Sequence, residues 1–292
     1  MTTPPLVVIT GAGTGLGRAT ALHLAQRGMR VYATVPTLDQ APALAAAAQA
    51  AGVSLEIVQL DVTDQGSIDA AHRQIIAEDT PFALINNAAI ALRGYFEDLL
   101  PEEIERAFEV NVLGTMKVIR TFLPEMRRAR RGRLLIITSV GGRIASLGVS
   151  GYCATKFAQE GMAECLQQEL KPFGIDVVIV EPAIIATERF GANRGYAANA
   201  FDPQSPYHDR FRASQRLTDR LVASSPTTAQ DVALAIEAAL TTKRPKLRYA
   251  VGRRARVVLA ARRLLPAPLF DRLYFGEAMR RVTAEAKQLE SA

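Results

Sequence analysis

The sequence predicts an α/β fold in which a doubly wound parallel sheet carries helices on both faces, with a helical extension at the C-terminus. Short, continuous apolar runs such as Leu6–Ile9 are typical of strands that are buried on both faces. These runs alternate regularly with segments of helical periodicity as far as residue 180. Alternation of this kind predicts parallel strands joined by crossover helices.

The first strand, over residues 6–10, passes directly into a glycine-rich loop and a helix over residues 18–27. Further strands are predicted over residues 30–35, 55–60, 82–85, 133–138 and 175–180, with a seventh over 248–251. Helices are predicted over residues 41–51, from about 64 to 79, 101–126, 152–171 and 232–240. Pro101 suits the first turn of its helix, so we expect one long helix from Pro101 through Asn111 to about Met126.

Length and composition limit the classes of protein to which the chain can belong. The 292 residues are within reach of a single α/β domain, and 49% of them are hydrophobic, enough for a large core. No apolar run approaches the roughly 18 residues of a membrane span. The first residues carry no basic segment and lead directly into a strand, so no signal peptide is expected.

The cysteines and histidines indicate neither a disulfide nor a metal site. Cys153 and Cys165 lie in the same predicted helix, where the helical rise holds them about 18 Å apart, too far for a disulfide. The histidines, His23, His72 and His208, are scattered along the chain, which is not the spacing of metal ligands. Free thiols favour a reducing compartment, so we expect a cytoplasmic protein.

The formal net charge of +6 is concentrated near the C-terminus. Residues 243–281 contain 12 Lys and Arg against 2 Asp and Glu, so the rest of the chain is net acidic. The basic character therefore belongs to one segment, and nucleic acid is not expected as a partner of the main body.

Tyr152 and Lys156 lie four residues apart in a predicted helix. Residues at this spacing share a helix face, and a neighbouring ammonium favours the phenolate over the phenol. Such a phenol can donate or accept a proton near neutral pH. The pair alone is weak evidence, because the same spacing occurs by chance on exposed helices.

Several motifs end up at one edge of the predicted sheet. The glycine loop Gly11–Gly17, Asp61, Asn87, Ser139 and Pro182 each follow a predicted strand directly. In an open parallel sheet, ligands bind in the crevice at the carboxyl ends of the strands. A glycine loop between strand and helix allows the backbone to approach a pyrophosphate, which the helix N-terminus attracts. A plain tight turn is the alternative explanation of the loop.

Taken together, these motifs resemble those of the short-chain dehydrogenase/reductase family. The resemblance covers residues 5–190. The C-terminal segment is loosely similar to the C-terminal ends of steroid- and retinol-type members. The matching motifs are Thr10-Gly-x-x-x-Gly-x-Gly17, Asp61, Asn86-Asn87-Ala88, Asn111, Ser139, Tyr152-x-x-x-Lys156 and Pro182-x-x-Ile185-x-Thr187. The resemblance implies a Rossmann fold, a nicotinamide cofactor and the interconversion of alcohols and ketones.

The resemblance also implies roles for individual residues. Tyr152 would act as the acid in reduction and the base in oxidation, and Lys156 would lower the pKa of Tyr152 and hold the nicotinamide ribose. Ser139 would bind the substrate carbonyl, and Asn111 would support a proton-relay water next to Lys156. The implied cofactor-binding residues are Gly11, Thr14, Gly15, Leu16, Gly17, Thr34, Asp61, Val62, Asn87, Ala88, Tyr152, Lys156, Pro182, Ala183, Ile185 and Thr187. Ala89 and Ala183 stand where the family has glycine, and we expect both to be tolerated.

The loop after the second strand bears on the choice of cofactor. An acidic residue there would bind the adenosine ribose and repel a 2′-phosphate, whereas an arginine would bind that phosphate. Val35 and Pro36 occupy the two positions, so neither group is present, and Thr14 adds no basic group. Because the acidic residue is missing, NADP(H) is favoured over NAD(H).

The domain prediction is a single Rossmann-type domain over residues 1–292. Within it, residues 5–187 form the cofactor-binding and catalytic core, 188–225 a substrate lid and 243–292 a basic cap. Aromatic residues of the lid, namely Tyr196, Phe201, Tyr207 and Phe211, suggest an apolar substrate, although simple packing explains them equally well. A packed cap is favoured over weak contact with an anionic membrane surface, because Pro266 and Pro268 interrupt the basic segment.

The sequence thus predicts an NAD(P)-dependent oxidoreductase for a bulky, lipophilic secondary alcohol or ketone. A non-enzymatic, redox-responsive dinucleotide-binding regulator is the alternative, and an epimerase or dehydratase of the related extended family ranks below it. The helices that contain Pro101 and Tyr152 resemble those that pair subunits in the family, so a homodimer or homotetramer is expected.

Overall fold

The computed structural model describes residues 4–185 and 195–290. In this part of the chain, seven parallel strands form one sheet in the order β3-β2-β1-β4-β5-β6-β7. The strands are β1 (Leu6–Ile9), β2 (Arg30–Val35), β3 (Glu56–Gln59), β4 (Ala83–Asn86), β5 (Gly132–Ile137), β6 (Ile175–Pro182) and β7 (Arg248–Val251). The strand order reverses between β1 and β4, which is where a ligand crevice forms in a doubly wound sheet. The predicted fold class is confirmed.

Ten α-helices follow in the described residues. They are α1 (Gly15–Gln26), α2 (Ala41–Ala50), α3 (Gln65–Ile76), α4 (Pro101–Phe108), α5 (Thr115–Ala129), α6 (Ser150–Leu170), α7 (His208–Ala223), α8 (Ala229–Thr241), α9 (Arg253–Leu264) and α10 (Ala267–Glu290). Helix α1 begins three residues earlier than the sequence predicted, because the second half of the glycine loop is already helical.

Alternate residues of the strands build two separate cores. Val8 of β1 belongs to a core with α3, α5 and α6, in which Phe122 is fully buried. Val7 and Ile9 face the opposite side and pack with α1, α2 and α8. This alternation is the geometry of a strand, whose successive side chains point to opposite faces. Burial on both faces explains why the strands are continuously apolar in the sequence.

The prediction of one continuous helix from Pro101 to Met126 is wrong. A π-helical turn, Glu109–Gly114, separates α4 from α5. At this turn the Asn111 side chain bonds the backbone of Ile90, and Gly114 approaches Val62 so closely that a Cβ would lie 2.7 Å from its Cγ2. In the widened turn, the Asn111 side chain forms hydrogen bonds with backbone that is not part of its own helix. Such turns are frequent at functional sites.

The basic C-terminal segment forms two helices on the body of the protein. Helix α9 ends at Leu264, immediately before the proline-containing turn, and α10 then packs against α7. Ala213 of α7 forms a small core with Val282 and Ala286, and Arg220 pairs with Glu285. The predicted C-terminal helical extension is therefore present in the structure. Among the described residues, no helix combines the length and the apolar character needed to cross a membrane.

The segment predicted as a lid contributes α7 and a cluster of aromatic side chains. Phe211 is fully buried and makes edge contacts with Tyr95, Tyr196 and Phe201. Tyr207 stacks on Tyr95 at 5.2 Å between ring centroids. These contacts account for the aromatics by packing, which was one of the two explanations left open. Residues 186–194 of the chain, including the predicted Thr187, lie outside the described residues.

Candidate active site

The glycine loop joins β1 to α1 at the carboxyl edge of the sheet. Gly11 and Gly15 have positive φ angles of 65° and 54°, which glycine adopts without steric cost. A Cβ on Gly17 would overlap the carbonyl oxygen of Gly11 and lie 2.6 Å from Asn87 Nδ2. Thr14 is the N-cap of α1 and Leu16 lies in its first turn, so free N–H groups and the positive end of the helix dipole face the loop.

Asn87 fastens this loop to the end of β4. Its Nδ2 donates to the carbonyl oxygens of Thr10 and Gly11 at 2.9 and 3.0 Å. The Thr10 hydroxyl in turn accepts from the backbone N–H groups of Asn87 and Ala88, both at 3.0 Å. The predicted cofactor residue Asn87 thus contacts the loop itself. Thr10 matched the motif, but the sequence did not indicate its bracing role.

The ends of β2 and β3 form the next part of the crevice. Asp61 Oδ1 accepts from the backbone N–H and the hydroxyl of Thr63, which fixes the turn that carries Val62. Thr34 is fully buried, and its hydroxyl has no hydrogen-bond partner among the described residues. Thr34 therefore lies beneath the loop surface, and Thr37 is the threonine exposed there.

The predicted catalytic side chains Ser139 and Tyr152 both lie beside Gly141. A Cβ built on Gly141 would lie 3.4 Å from Ser139 Oγ and 3.7 Å from Tyr152 Cε1. Ser139 follows β5, and its Oγ accepts from the Gly141 N–H at 3.0 Å. A serine oxygen that accepts in this way still has its own O–H to donate. Tyr152 is partly exposed in the first turn of α6.

Lys156 lies one turn after Tyr152 on the same face of α6. Its Nζ is 5.7 Å from the centroid of the Tyr152 ring. The side chain is buried, and Nζ donates to the Ile137 carbonyl and to Gln159 Oε1, both at 2.9 Å. Buried ammonium groups require such acceptors. The sequence-predicted proximity of Tyr152 and Lys156 is present in the structure.

Asn111 is fully buried and holds together three parts of the site. Its side-chain amide pairs with the backbone of Ile90, accepting from N–H at 2.7 Å and donating to the carbonyl at 2.9 Å. The same Nδ2 donates to Thr155 Oγ1 at 3.1 Å, and Thr155 donates to the Tyr152 carbonyl. No functional role was predicted for Thr155. It links Asn111 directly to the first turn of α6.

Gln159 is a site residue that the sequence interpretation missed. It lies next to Lys156, and its Nε2 donates to the Asn111 carbonyl at 2.6 Å. Its Oε1 accepts from Lys156 Nζ at 2.9 Å, so the Gln159 amide bridges Asn111 and Lys156. A signal existed in the sequence, since Gln159 follows Tyr152 by seven residues and Lys156 by three, which places all three on one helix face.

A buried ionic cluster supports the site from behind. Thr138, next to Ser139, donates to Glu160 Oε1 at 2.7 Å. Arg248 of β7 binds Glu160 at 2.9 Å and approaches Glu181 at 3.5 Å. Burial, followed by the charge of Glu160, raises the pKa of Glu181. The cluster ties β5, β6, β7 and α6 together beneath the catalytic side chains.

The last group of predicted cofactor-binding residues lies at the end of β6 and just after it. Pro182 closes the strand, Ala183 N–H donates to the Val251 carbonyl at 3.2 Å, and Ile185 is buried in the core shared with α1 and α8. Arg130 is the one non-glycine residue with positive φ in the described part of the chain. Ala89 and Ala183 therefore have conformations that alanine adopts freely.

Burial raises the pKa of the Cys153 thiol, which keeps it protonated and unreactive. Cys165 is exposed on the same helix. Within residues 4–185 and 195–290, no three His, Cys, Asp or Glu side chains are grouped so that they could hold a metal ion.

Comparison with known proteins bears on this arrangement. Residues 5–195 match the family model described as short chain dehydrogenase. The chain belongs to the short-chain dehydrogenase family. It is 34% identical over 252 residues to human 17-beta-hydroxysteroid dehydrogenase type 1, covering 84% of this chain and 76% of that protein. It is 32% identical over 280 residues to retinol dehydrogenase 5 of Mus musculus, covering 91% and 86%.

Solved structures of the family share the fold. A short-chain dehydrogenase from Streptomyces avermitilis has a TM-score of 0.78 and 31% identity, covering 96% of this chain and 98% of that one. A family member from Burkholderia phymatum, in complex with NAD, has a TM-score of 0.75 and 25% identity, covering 90% and 94%. This short-chain dehydrogenase is therefore an oxidoreductase that uses a nicotinamide cofactor.

Proposed function

We propose that this short-chain dehydrogenase interconverts a lipophilic secondary alcohol and its ketone. The observation that carries the proposal is the grouping of Ser139, Tyr152 and Lys156 at the carboxyl edge of the sheet. Ser139 follows β5, and β4 lies between β5 and β1, the strand that leads into the glycine loop. A hydroxyl donor, a phenol and an ammonium at one place suit the addition of a hydride and a proton to a carbonyl.

The chemistry divides among these side chains. Ser139 donates its hydroxyl to the substrate oxygen and stabilises the negative charge that develops there. Tyr152 delivers the proton in reduction and removes it in oxidation. Lys156 favours the ionised form of Tyr152 through its positive charge. Asn111 fixes the first turn of α6 through Thr155. The bound cofactor supplies or accepts the hydride.

Several features of the glycine loop fit a dinucleotide. The backbone at Gly11 and Gly17 leaves no room for side chains, and the N-terminus of α1 provides N–H groups for a pyrophosphate.

We propose NADP(H) as the preferred cofactor. Val35, the last residue of β2, and Pro36 stand where an acidic residue or an arginine would discriminate between the two cofactors, and the exposed Thr37 follows them.

The proposed substrate is bulky and apolar, as in the steroid- and retinol-type relatives. Leu92 and Leu99 pack under residues 197–211 in an apolar cluster beside α6. We propose residues 188–225 as the segment that covers the substrate and 243–292 as a cap, within one domain built on the 5–187 core. A segment that excludes water from the hydride-transfer site strengthens the electrostatic interactions there.

We expect turnover of ketones with NADPH. The measurement is the absorbance of reduced nicotinamide in the presence of a panel of hydroxysteroid- and retinoid-like carbonyls and of small ketones, with NADPH and NADH compared at equal concentration. The expected result is faster turnover of bulky than of small ketones, and a higher kcat/KM with NADPH. Tight nucleotide binding without turnover of any carbonyl compound would instead support the regulator alternative.

We further propose that the protein is a homodimer that pairs through α5 and α6. Leu113 and Met116 lie three residues apart on one exposed face, and Phe157 of α6 is 46% exposed. Large apolar side chains at this exposure on neighbouring helices are typical of a contact surface. A tetramer would need a second surface of the same kind.

The Phe157→Glu variant is expected to be monomeric, because a carboxylate at the centre of an apolar contact loses its hydration. Light scattering after size-exclusion chromatography measures the mass. Leu234→Glu on α8, which is similarly exposed but lies on the other face of the sheet, should leave the dimer intact. A wild-type protein that is already monomeric contradicts the proposal.

Contact of the basic segment with an anionic membrane stays a prediction, as does a cytoplasmic location. Helix α9 places Arg253, Arg256, Val257 and Leu264 on one exposed face, and this mixture of arginine and apolar side chains supports weak contact with anionic lipid.

A further inference from the structure

Gln159 is buried at the centre of the site, with 1% of its surface exposed. All the hydrogen-bonding capacity of its amide nitrogen is used, since Nε2 donates to the Asn111 carbonyl at 2.6 Å and to Thr115 Oγ1 at 3.1 Å. Its Oε1 accepts from Lys156 Nζ at 2.9 Å. A buried amide with every proton satisfied is held in one orientation.

The neighbours determine which way the amide points. Thr115 donates its own hydroxyl to the Asn111 carbonyl at 2.8 Å, so Thr115 Oγ1 is available as an acceptor. Rotating the Gln159 amide by half a turn would place its NH₂ against the Lys156 ammonium and its oxygen against the Asn111 carbonyl. Both contacts would be repulsive. The oxygen of Gln159 therefore faces Lys156.

We propose that Gln159 is a positioning residue that tethers the Lys156 ammonium to the π-helical turn at Asn111. The tether runs from Lys156 through the Gln159 amide to the Asn111 carbonyl, and it fixes the charge that acts on Tyr152. The Gln159 amide is thus bonded both to Asn111, which was expected to support a relay water, and to Lys156, next to which that water was expected. A carboxamide keeps its protons on nitrogen, so this link orients Lys156 without passing a proton along.

The proposed effect of this tether on the reaction rate rests on the proposed function, because it requires Tyr152 to be the acid and base. Its physical basis is independent of that role. Lys156 is 2% exposed, and its Nζ also donates to the Ile137 carbonyl at 2.9 Å. Without Gln159, the ammonium loses an acceptor and the Asn111 carbonyl loses a donor. Lys156 then moves toward another acceptor, and its position relative to Tyr152 changes.

Two substitutions separate tethering from simple packing. Gln159→Leu keeps the volume but removes every hydrogen bond. Gln159→Ala leaves a space that is lined by Lys156 Nζ, the Asn111 carbonyl and Thr115 Oγ1, and a water with three polar partners can fill such a space. A tether that acts through hydrogen bonds therefore predicts more activity in the Ala variant than in the Leu variant. A packing role predicts the reverse.

We expect kcat to fall about 10- to 100-fold in Gln159→Leu, the effect of losing one hydrogen bond to a charged group. In Gln159→Ala the loss should be at most about tenfold. The KM for the ketone should change by less than about threefold in both, because Gln159 is buried behind Lys156. NADPH affinity, measured by calorimetry, should fall in the same order as kcat, since Lys156 is displaced.

Gln167→Leu is the matched control. Gln167 lies on the same helix and accepts from the Val177 N–H at 3.2 Å, far along α6 from Lys156. Its substitution should reduce the melting temperature and leave kcat within about twofold. A folded Gln159→Leu variant with the kcat and NADPH affinity of the Gln167→Leu control overturns the proposal. Higher activity in Gln159→Leu than in Gln159→Ala overturns it as well.

Failure of the tether and failure of the proposed function give different results. If the wild-type protein reduces no ketone, the proposed function fails, and the NADPH affinities of the variants still test the tether. If the wild type is active and the variants follow the packing order, the tether fails and the proposed function stands.

Discussion

The Tyr152→Phe variant is expected to lose about 10²- to 10⁴-fold in kcat/KM for ketone reduction, the usual contribution of a general acid. The substitution removes one oxygen and keeps the ring that packs beside Gly141. Lys156 keeps its acceptors at Ile137 and Gln159. Binding of NADPH should therefore stay within a few-fold of wild type, and the loss should appear in kcat.

Steady-state kinetics with the best ketone of the panel, together with calorimetry of NADPH binding, makes this measurement. Tyr249→Phe is the matched control, because Tyr249 lies on β7 and its hydroxyl accepts a long contact of 3.4 Å from the Lys246 N–H. It should leave kcat unchanged. If Tyr152→Phe retains more than about a tenth of the wild-type kcat/KM, Tyr152 is not the proton donor.

The features that the sequence predicted correctly are those encoded locally. All seven strands of the described sheet were predicted to within about two residues. The clearest are the buried strands β1 and β4, which are continuously apolar or nearly so because both of their faces are covered. The Tyr152–Lys156 pair follows from helical spacing alone. The crevice could be located because parallel strands place their carboxyl ends at the same edge of the sheet.

The parts that escaped prediction depend on partners that are distant in sequence. Asn111 and Gln159 are separated by 48 residues, and their bond forms across two helices. The sequence shows that Gln159 shares a face with Lys156, but it does not show what packs opposite that face. Thr155 was unexplained for the same reason, since Asn111, its partner, lies 44 residues before it.

The π-helical turn is a different case. Its residues, Glu109–Gly114, include two valines, an asparagine and a glycine, which lower helix propensity without specifying a π-helical turn. One extra residue in a turn also barely alters the hydrophobic period. What widens the turn is tertiary: the bonds from Asn111 to Ile90 and the close approach of Gly114 to Val62. The local sequence cannot contain that information.

Among the aromatic residues near residues 196–211, packing alone explains the burial of Phe211. The sequence allowed either a substrate lining or plain packing. Phe211 is fully buried, with three other rings packed edge-on around it. A ring without exposed surface cannot also contact a substrate unless the cluster opens. The proposed apolar lining therefore depends on Leu92, Leu99 and the outer rings of the cluster.

The Gly17→Ala variant is expected to lose at least about tenfold in NADPH affinity and about 1–3 kcal/mol in the free energy of unfolding, the usual cost of overpacking. The added Cβ would overlap the Gly11 carbonyl oxygen and lie 2.9 Å from Ala12 Cα. Both obstacles are backbone, which cannot rotate away as a flexible side chain can. Relief therefore requires the loop to move, and the bonds from Asn87 Nδ2 to Thr10 and Gly11 hold that loop in place.

Denaturant unfolding and calorimetry of NADPH binding measure the two losses separately. Gly276→Ala in α10 is the matched control, because its Cβ would meet only Asp271 O at 3.9 Å. That variant should bind NADPH as wild type does and gain up to about 1 kcal/mol, the helix propensity of alanine over glycine. A Gly17→Ala protein with unchanged affinity and stability would mean that the loop yields without cost, and that close backbone packing does not shape the nucleotide site. A protein that loses stability but not affinity would assign Gly17 to folding alone.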